Sequence, residues 1–202
     1  MIIYMFKIIC VTNRSLCIDD LTERIGKLCE AGAYRIILRE KDLSKTEYEK
    51  IAKKALDITK SYDTILTLHS FFDIACDLNT KSIHLPLNIL KTIPDETKKH
   101  FDEIGCSVHS IEQAQEAVSL GANYLTAGHI FVTDCKKGIE PRGTGFLKTV
   151  YESVNVPVYA IGGIEANNIR KLKGICNGAC VMSSAMKCED AKEYMKGLKN
   201  GI

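Results

Sequence analysis

Short apolar runs alternate with longer amphipathic segments along the whole chain, and this alternation limits the folds that the chain can adopt. Eight of the runs have the length of a strand: residues 6–11, 34–38, 64–68, 82–85, 104–108, 124–127, 157–161 and 179–182. They are continuous rather than alternating with polar residues, which is typical of parallel strands buried on both faces. The segments between them have helical periodicity; Leu21, Ile25 and Leu28 share one face of the first.

The junctions between these segments also indicate a repeated β-α unit. Gly32, Gly121 and Gly178 each precede an alanine where a predicted helix gives way to a strand, and we expect each glycine to adopt the left-handed conformation there. Ser110 with Gln113 forms a weak capping-box pattern. No Gly/Ser/Pro-rich linker divides the 202 residues. We therefore predict an α/β chain with a single domain over 1–202, a (β/α)8 TIM barrel.

An open, doubly wound sheet is the alternative fold. It usually has fewer strands and needs a glycine-rich turn after the first strand. The segment VTNRSL, which follows the first predicted strand, contains no glycine.

Charge and cysteine content exclude several classes of function. The 27 basic and 25 acidic residues nearly cancel, and no block of like charge predicts nucleic-acid or membrane-surface binding. The apolar opening MIIYMFKIICV contains Lys7, lacks a signal-peptidase pattern and is too short to span a bilayer. We predict a cytoplasmic protein whose nine cysteines are reduced. No C-x-x-C pair indicates structural zinc.

Two glycines and a serine at consecutive strand ends predict a phosphate site. The loops after the seventh and eighth strands of TIM barrels often bind phosphate. Here the seventh is followed by Gly162 and Gly163, and the eighth by Ser183. Glycines let backbone N–H groups approach an anion closely. The alternative is that the glycines only make a tight turn and the serine caps a helix.

Positive and hydroxyl side chains follow other predicted strands. Arg39 and Lys41 come after the second, Ser107 ends the fifth, and Lys136 lies in the loop after the sixth. An arginine directly after an apolar strand suits a carboxylate or phosphate contact. The alternative for the lysines is a solvated surface.

His129 follows the sixth predicted strand in the segment AGHIFVTDCKKG, and four roles are open to it. It could bind a metal with His69, His109 and Asp134, but these lack close ligand spacing. It could activate Cys135 as a nucleophile. It could be structural. It could also act as a general acid/base, because imidazole titrates near neutral pH.

The segments LREK, SVHSIEQAQEAVSLGANYL, IFVTDCKKG, VYAIGGI and GACVMSSA resemble the thiamine phosphate synthase superfamily of (β/α)8 barrels, over residues 5–200. Within it, SVHS followed by GHIFVTDCKKGIEPRG is similar to the TenI-type thiazole tautomerases. The resemblance implies an isomerase of thiamine biosynthesis. Its substrate is a thiazole-carboxylate phosphate tautomer, and its product is the aromatic isomer.

Four departures separate this chain from the synthases that the resemblance also includes. Those enzymes use aspartates after the third and fourth strands to hold Mg²⁺ on a pyrimidine diphosphate. Here His69-Ser70 replaces Asn-Asp, and PLNI, ending at Ile89, replaces Gly-Gln-x-Asp. Ile37 replaces a glutamine, and Gly128-His129 replaces Gly-Pro. Without hard oxygen ligands, Mg²⁺ has no evident site.

The resemblance assigns roles residue by residue and requires no metal or cofactor. His129 is the acid/base; Gly162, Gly163, Met182 and Ser183 bind the phosphate; and substrate contacts come from Arg39, Lys41, Ser107, Thr133 and Lys136. The expected partner is a small thiazole phosphate. Synthase activity and a non-catalytic regulatory barrel that binds thiazole phosphates are the alternatives. Many barrels self-associate, so a homo-oligomer is an open expectation without a residue-level argument.

Overall fold

Eight parallel strands form a closed barrel in the computed structural model, which describes residues 6–202. The strands are β1 (Lys7–Val11), β2 (Arg35–Leu38), β3 (Ile65–His69), β4 (Ser82–Pro86), β5 (Glu103–Val108), β6 (Tyr124–Gly128), β7 (Val158–Ile161) and β8 (Gly178–Val181). Each strand pairs with the next in the chain, and β8 pairs with β1 to complete the ring. The predicted (β/α)8 fold is confirmed, and every predicted strand boundary lies within one residue of the observed one.

Helices connect the strands around the outside of the barrel. They are α1 (Leu21–Glu30), α2 (Lys45–Thr59), α3 (Phe72–Asp77), α4 (Leu87–Leu90), α5 (Asp95–Lys98), α6 (Ile111–Ser119), α7 (Gly143–Ser153), α8 (Ser183–Lys187) and α9 (Ala191–Asn200). The connection after β7 contains only the 3₁₀ turn Ile169–Leu172, so the seventh β-α unit is shorter than a full repeat.

Local sequence explains where the longer helices begin and which face they bury. Asp20 caps α1 by accepting from the backbone N–H of Thr22, and Ser44 caps α2 in a reciprocal capping box with Glu47. The apolar face of α1, represented by Ile25 and Leu28, is completely buried. This burial supplies most of the stability of such short helices.

Two of the three predicted left-handed glycines are confirmed, and one prediction is wrong. Gly32 and Gly121 have φ angles of +78° and +99°. Gly178 instead lies inside β8, where a side chain would meet the Lys7 carbonyl oxygen at 2.1 Å. The left-handed residue before β8 is Gly174, with a φ of +79°. Gly178 therefore allows the close approach of β8 and β1 and does not form a turn.

Ser110 caps α6 as expected, but the capping box is incomplete. Its side chain accepts from the backbone N–H of Gln113 at 3.2 Å. The Gln113 side chain accepts from the N–H of His109, at 2.8 Å, rather than from that of Ser110.

The inside of the barrel is apolar on one side and polar on the other. The apolar side is a buried cluster that belongs to β1, β2, β6, β7 and β8: Ile9, Val11, Ile37, Tyr124, Tyr159 and Cys180. The polar side belongs to β2, β3, β4 and β6: Arg35, Thr67, His69, Ser82, His84 and Thr126, all buried. The continuous apolar runs of the sequence do not reveal this division, because half of each strand faces the helices.

No helix in residues 6–202 is both long and apolar enough to cross a bilayer. The first five residues of the opening that we considered as a signal segment lie outside the described residues.

Gly105 on β5 leaves the space that the polar side requires. A Cβ there would lie 2.1 Å from Tyr124 Cζ and 2.4 Å from His84 Nδ1. Because such overpacking forces both rings to move, we expect Gly105→Ala to lower the free energy of unfolding by about 1–3 kcal/mol. Urea denaturation of the purified chain measures this.

Gly145→Ala is the matched control, because Gly145 lies in α7 and an added methyl group there would have no atom within 4 Å. We expect this substitution to raise the free energy of unfolding by about 0.5–1 kcal/mol, from the higher helix propensity of alanine. Equal effects of the two substitutions would contradict the close packing at Gly105.

Candidate active site

His129 lies directly after the carboxyl end of β6, at the mouth of the barrel. Its ring nitrogen Nε2 is 3.2 Å from the carbonyl oxygen of Ile139, on the returning arm of the same loop. A carbonyl oxygen only accepts, so Nε2 carries a proton, and in the neutral form of the ring Nδ1 is the basic nitrogen. The half-buried ring is therefore oriented with one nitrogen available as a base.

The loop after β7 packs directly against His129. A Cβ on Gly162 would lie 2.4 Å from His129 Cβ, and one on Gly163 would lie 2.2 Å from the Val132 carbonyl oxygen. Their φ angles are +103° and +65°. The two predicted phosphate-site glycines thus allow a turn and the close approach of the His129 loop, whatever ligand they bind.

The segment after β8 lies beside the same loops. Met182 packs against the apolar inner cluster, and Ser183 begins α8. The Ser183 hydroxyl is 3.2 Å from the thiol of Cys135, while Thr133 accepts from the Cys135 backbone N–H. Cys135 therefore contacts the β8 end, and His129 Nε2 has a different partner. The geometry gives no support to a Cys135–His129 nucleophile pair.

Three cations from two loops lie close together at the mouth. Burial, with the charges of Arg39 and Lys136, lowers the pKa of Lys41. Within residues 6–202, none of the three forms an ion pair with a carboxylate. Like charges without a counter-ion repel one another, so an anionic ligand would stabilise this arrangement.

A cavity of about 380 Å³ extends from this cluster over the ends of β3 and β4. His69, Ser70 and Ile89 line it. Burial and the charges of Arg39 and Lys41 lower the pKa of His69 to about 3, so this imidazole is neutral. The described part of the chain contains no group of three His, Cys, Asp or Glu side chains that could hold a metal ion. His69, His109 and Asp134 thus do not form a ligand set.

Sequence reasoning missed three residues that support the site. Glu40 is buried beside Arg39 and accepts from the Thr12 hydroxyl and from the Arg14 backbone N–H. His84 and Tyr124 lie inside the barrel, below Ser107. One signal for His84 was visible in the sequence. Ser82 and His84 are polar residues two positions apart in an apolar run, and this spacing places both side chains on the same, inward-facing side of the strand.

The carboxyl ends of the strands in this closed (β/α)8 barrel carry a histidine, glycine turns and three cations that form no ion pair within residues 6–202. This is the arrangement of a barrel enzyme for an anionic substrate. Comparison with known proteins is more specific. Residues 8–185 match the family model described as thiamine monophosphate synthase, and the chain belongs to that family.

Relatives and a solved structure agree with this assignment. Thiamine-phosphate synthase of Clostridium tetani is 37% identical over 89% of this chain and 87% of its own length. A putative thiamine-phosphate synthase 2 of Aquifex aeolicus is 35% identical over 79% and 86%. The structure of thiamine phosphate pyrophosphorylase from Pyrococcus furiosus superposes with a TM-score of 0.84 at 31% identity, over 97% and 95% of the two chains.

The contact between Gly162 and His129 can be tested with a pair of alanine substitutions. Gly121→Ala introduces a side chain at a φ of +99° with no atom within 4 Å, so only backbone strain of about 1–2 kcal/mol is expected. Gly162→Ala adds the clash with His129 at nearly the same φ. We expect a larger loss of unfolding free energy in urea, and a shifted His129 ring signal in NMR spectra. Equal losses and an unmoved ring signal would contradict the contact.

Proposed function

We propose that this chain is a thiazole tautomerase, an isomerase that converts a thiazole-carboxylate phosphate tautomer into its aromatic form. The main supporting observation is His129 at the mouth of the barrel, together with the cluster of Arg39, Lys41 and Lys136, which has no carboxylate ion-pair partner in residues 6–202, in a family whose synthases the chain otherwise resembles. A proton transfer between carbon atoms needs a base that also returns the proton, and it needs anchors for the substrate's anionic groups. The residues at this mouth meet both needs.

His129 carries out the proton transfer in this proposal. With its proton on Nε2 and Ile139 accepting it, Nδ1 takes the proton from the ring carbon that bears the carboxylate. The resulting imidazolium then returns a proton to the exocyclic carbon, which completes the aromatic ring. Electrons shift within the substrate only, so no oxidant or leaving group is involved.

Two groups of residues supply the anchors in this proposal. Backbone N–H groups at Gly162, Gly163, Met182 and Ser183 would bind the phosphate, and Thr133 lies on the loop beside them. The Arg39, Lys41 and Lys136 cluster would pair with the substrate carboxylate. The carboxylate stays ionised while the proton leaves the ring carbon that bears it. Ser107 would contact the substrate from the β5 side.

Thiamine-phosphate synthase activity is the second candidate, and the names of the relatives favour it. The synthase resemblance implies a magnesium ion, and the residues present do not fit one. Ser70 and Ile89 line the cavity where the synthase pattern has carboxylates. Glu40 is also directed to Thr12 and Arg14. Hard divalent cations need several oxygen ligands, so we rank this candidate second.

We also propose that the enzyme acts in the cytoplasm. All nine cysteines are free thiols, and only Cys135 is exposed. Such a set is typical of a reducing compartment.

An isomerisation assay with the thiazole-carboxylate phosphate tautomer tests the proposed function. We expect His129→Ala to lower kcat by about 10²–10⁴-fold, the usual contribution of a general acid/base. His100→Ala is the control, because His100 precedes β5 at the opposite end of the barrel and its ring bonds the Thr80 carbonyl oxygen. Equal activity of His129→Ala and His100→Ala would refute the assigned role of His129.

Chelation distinguishes the two candidates. Because the proposed proton transfer uses only side chains and backbone groups, we expect EDTA to leave the isomerisation rate unchanged. A condensation of pyrimidine diphosphate with thiazole phosphate that requires added magnesium would establish the synthase instead. Binding without turnover of either substrate would indicate a regulatory barrel.

A further inference from the structure

A chain of hydrogen bonds runs inside the barrel from Tyr124 to Ser107 at the mouth. The buried His84 ring connects the two: Nδ1 is 3.1 Å from the Tyr124 hydroxyl, and Nε2 is 2.9 Å from the Ser107 hydroxyl. The proposed proton transfer does not use His84 or Tyr124, yet both are held in place around Gly105.

Arg35 determines the direction of the donors at the lower end. Its guanidinium donates to the hydroxyl oxygens of Thr67 and Ser82, each at 2.6 Å, and to Glu103 at 2.6 Å. A guanidinium never accepts, so both hydroxyls receive a proton from below and must direct their own protons elsewhere. The two hydroxyl oxygens lie 2.8 Å apart, and Ser82 has the Glu103 carboxylate within 3.4 Å, so Thr67 donates to Ser82 and Ser82 donates to Glu103.

The same charge orients Tyr124. The guanidinium carbon lies 4.6 Å from the centre of the Tyr124 ring. A nearby cation favours hydroxyl dipoles whose oxygen faces it and whose proton points away, and linked hydrogen bonds polarise one another in the same sense. The Tyr124 proton therefore points to His84 Nδ1. A neutral imidazole has one donor and one acceptor, so His84 then carries its proton on Nε2.

This direction determines what Ser107 can offer a ligand. His84 Nε2 donates to the Ser107 oxygen, and the Thr126 hydroxyl also donates to it at 3.2 Å. Both lone pairs of that oxygen are then occupied, and only the hydroxyl proton is left to point into the cavity of about 370 Å³ that Ser107 lines. The opposite tautomer of His84 would consume this proton.

We propose that His84 is a positioning residue whose Nε2–H tautomer, imposed through Tyr124 from Arg35, makes the Ser107 hydroxyl an obligate hydrogen-bond donor for an acceptor group of the substrate. The inference rests on the proposed function for the ligand, where a carboxylate or phosphate oxygen would accept. The tautomer itself is a property of the ligand-free chain.

The surroundings of His84 keep it neutral. Burial, together with the neighbouring His69 and the Arg35 charge, places the pKa of His84 well below its ordinary value. The other groups in contact with the ring are the hydroxyls of Tyr124, Ser107 and Thr126, and burial raises the pKa of Tyr124. No carboxylate within residues 6–202 contacts this ring, so nothing stabilises an imidazolium there.

NMR of the ligand-free full chain, labelled with ¹⁵N-histidine, reads the tautomer directly. The His84 signals are identified as those lost in His84→Gln. We expect a neutral ring with its proton on Nε2 across about pH 6–8, the range in which an ordinary histidine titrates. A proton on Nδ1, or a ring that becomes charged in this range, would overturn the proposal.

Kinetics with two substitutions separate positioning from packing. Glutamine at 84 can still accept from Tyr124 and donate to Ser107, whereas leucine fills the space with neither group. We expect His84→Gln to keep KM for the thiazole-carboxylate phosphate within about threefold, and His84→Leu to raise KM about tenfold, the effect of one lost hydrogen bond. Equal KM values in two folded variants would count against the proposal.

The two proposals fail separately. If the wild-type chain shows no isomerisation, the proposed function is wrong, and the NMR measurement still decides the tautomer. If the wild type turns over but His84 carries its proton on Nδ1, the proposed function stands and the positioning role is wrong.

Discussion

The buried guanidinium of Arg35 is the interaction around which the polar side of the barrel is organised. It lies almost fully inside the barrel, and it links β2 to β3, β4 and β5 through Thr67, Ser82 and Glu103. Desolvating such a charge is costly unless acceptors surround it. The polar strands therefore retain hydroxyl and carboxylate side chains facing inward, at positions where a packed barrel usually has aliphatic ones.

The mouth of the barrel depends on a second constraint, the close approach of neighbouring loops. The β7 loop can reach His129 only because Gly162 and Gly163 lack side chains. In the proposed function, backbone N–H groups of the same turn and of Ser183 bind the substrate phosphate. Unneutralised cations at Arg39 and Lys41 add a favourable potential for an anionic substrate.

Membership of the thiamine monophosphate synthase family is consistent with two chemistries, and the site departs from the one that the relatives' names describe. Ser70 and Ile89 line a cavity that offers little to a hard cation. In the proposed function His129, whose ring is oriented by the Ile139 carbonyl oxygen, supplies the base at the end of β6. In the proposed function, the chain keeps the phosphate-binding frame of a barrel and differs in the group that acts on the ligand, because function depends on the side chains at the strand ends rather than on the fold.

The sequence by itself determined the barrel and the strand ends. Continuous apolar runs are required of strands buried on both faces, so the strand boundaries were correct within one residue, and His129 could be placed at the mouth. Only the tertiary structure decided the rest. It showed that Gly178 lies inside a strand, and it joined His84 to Tyr124 across 40 positions of sequence. Contacts across the barrel depend on strand tilt and register, and the periodicity of a single strand carries no information about either.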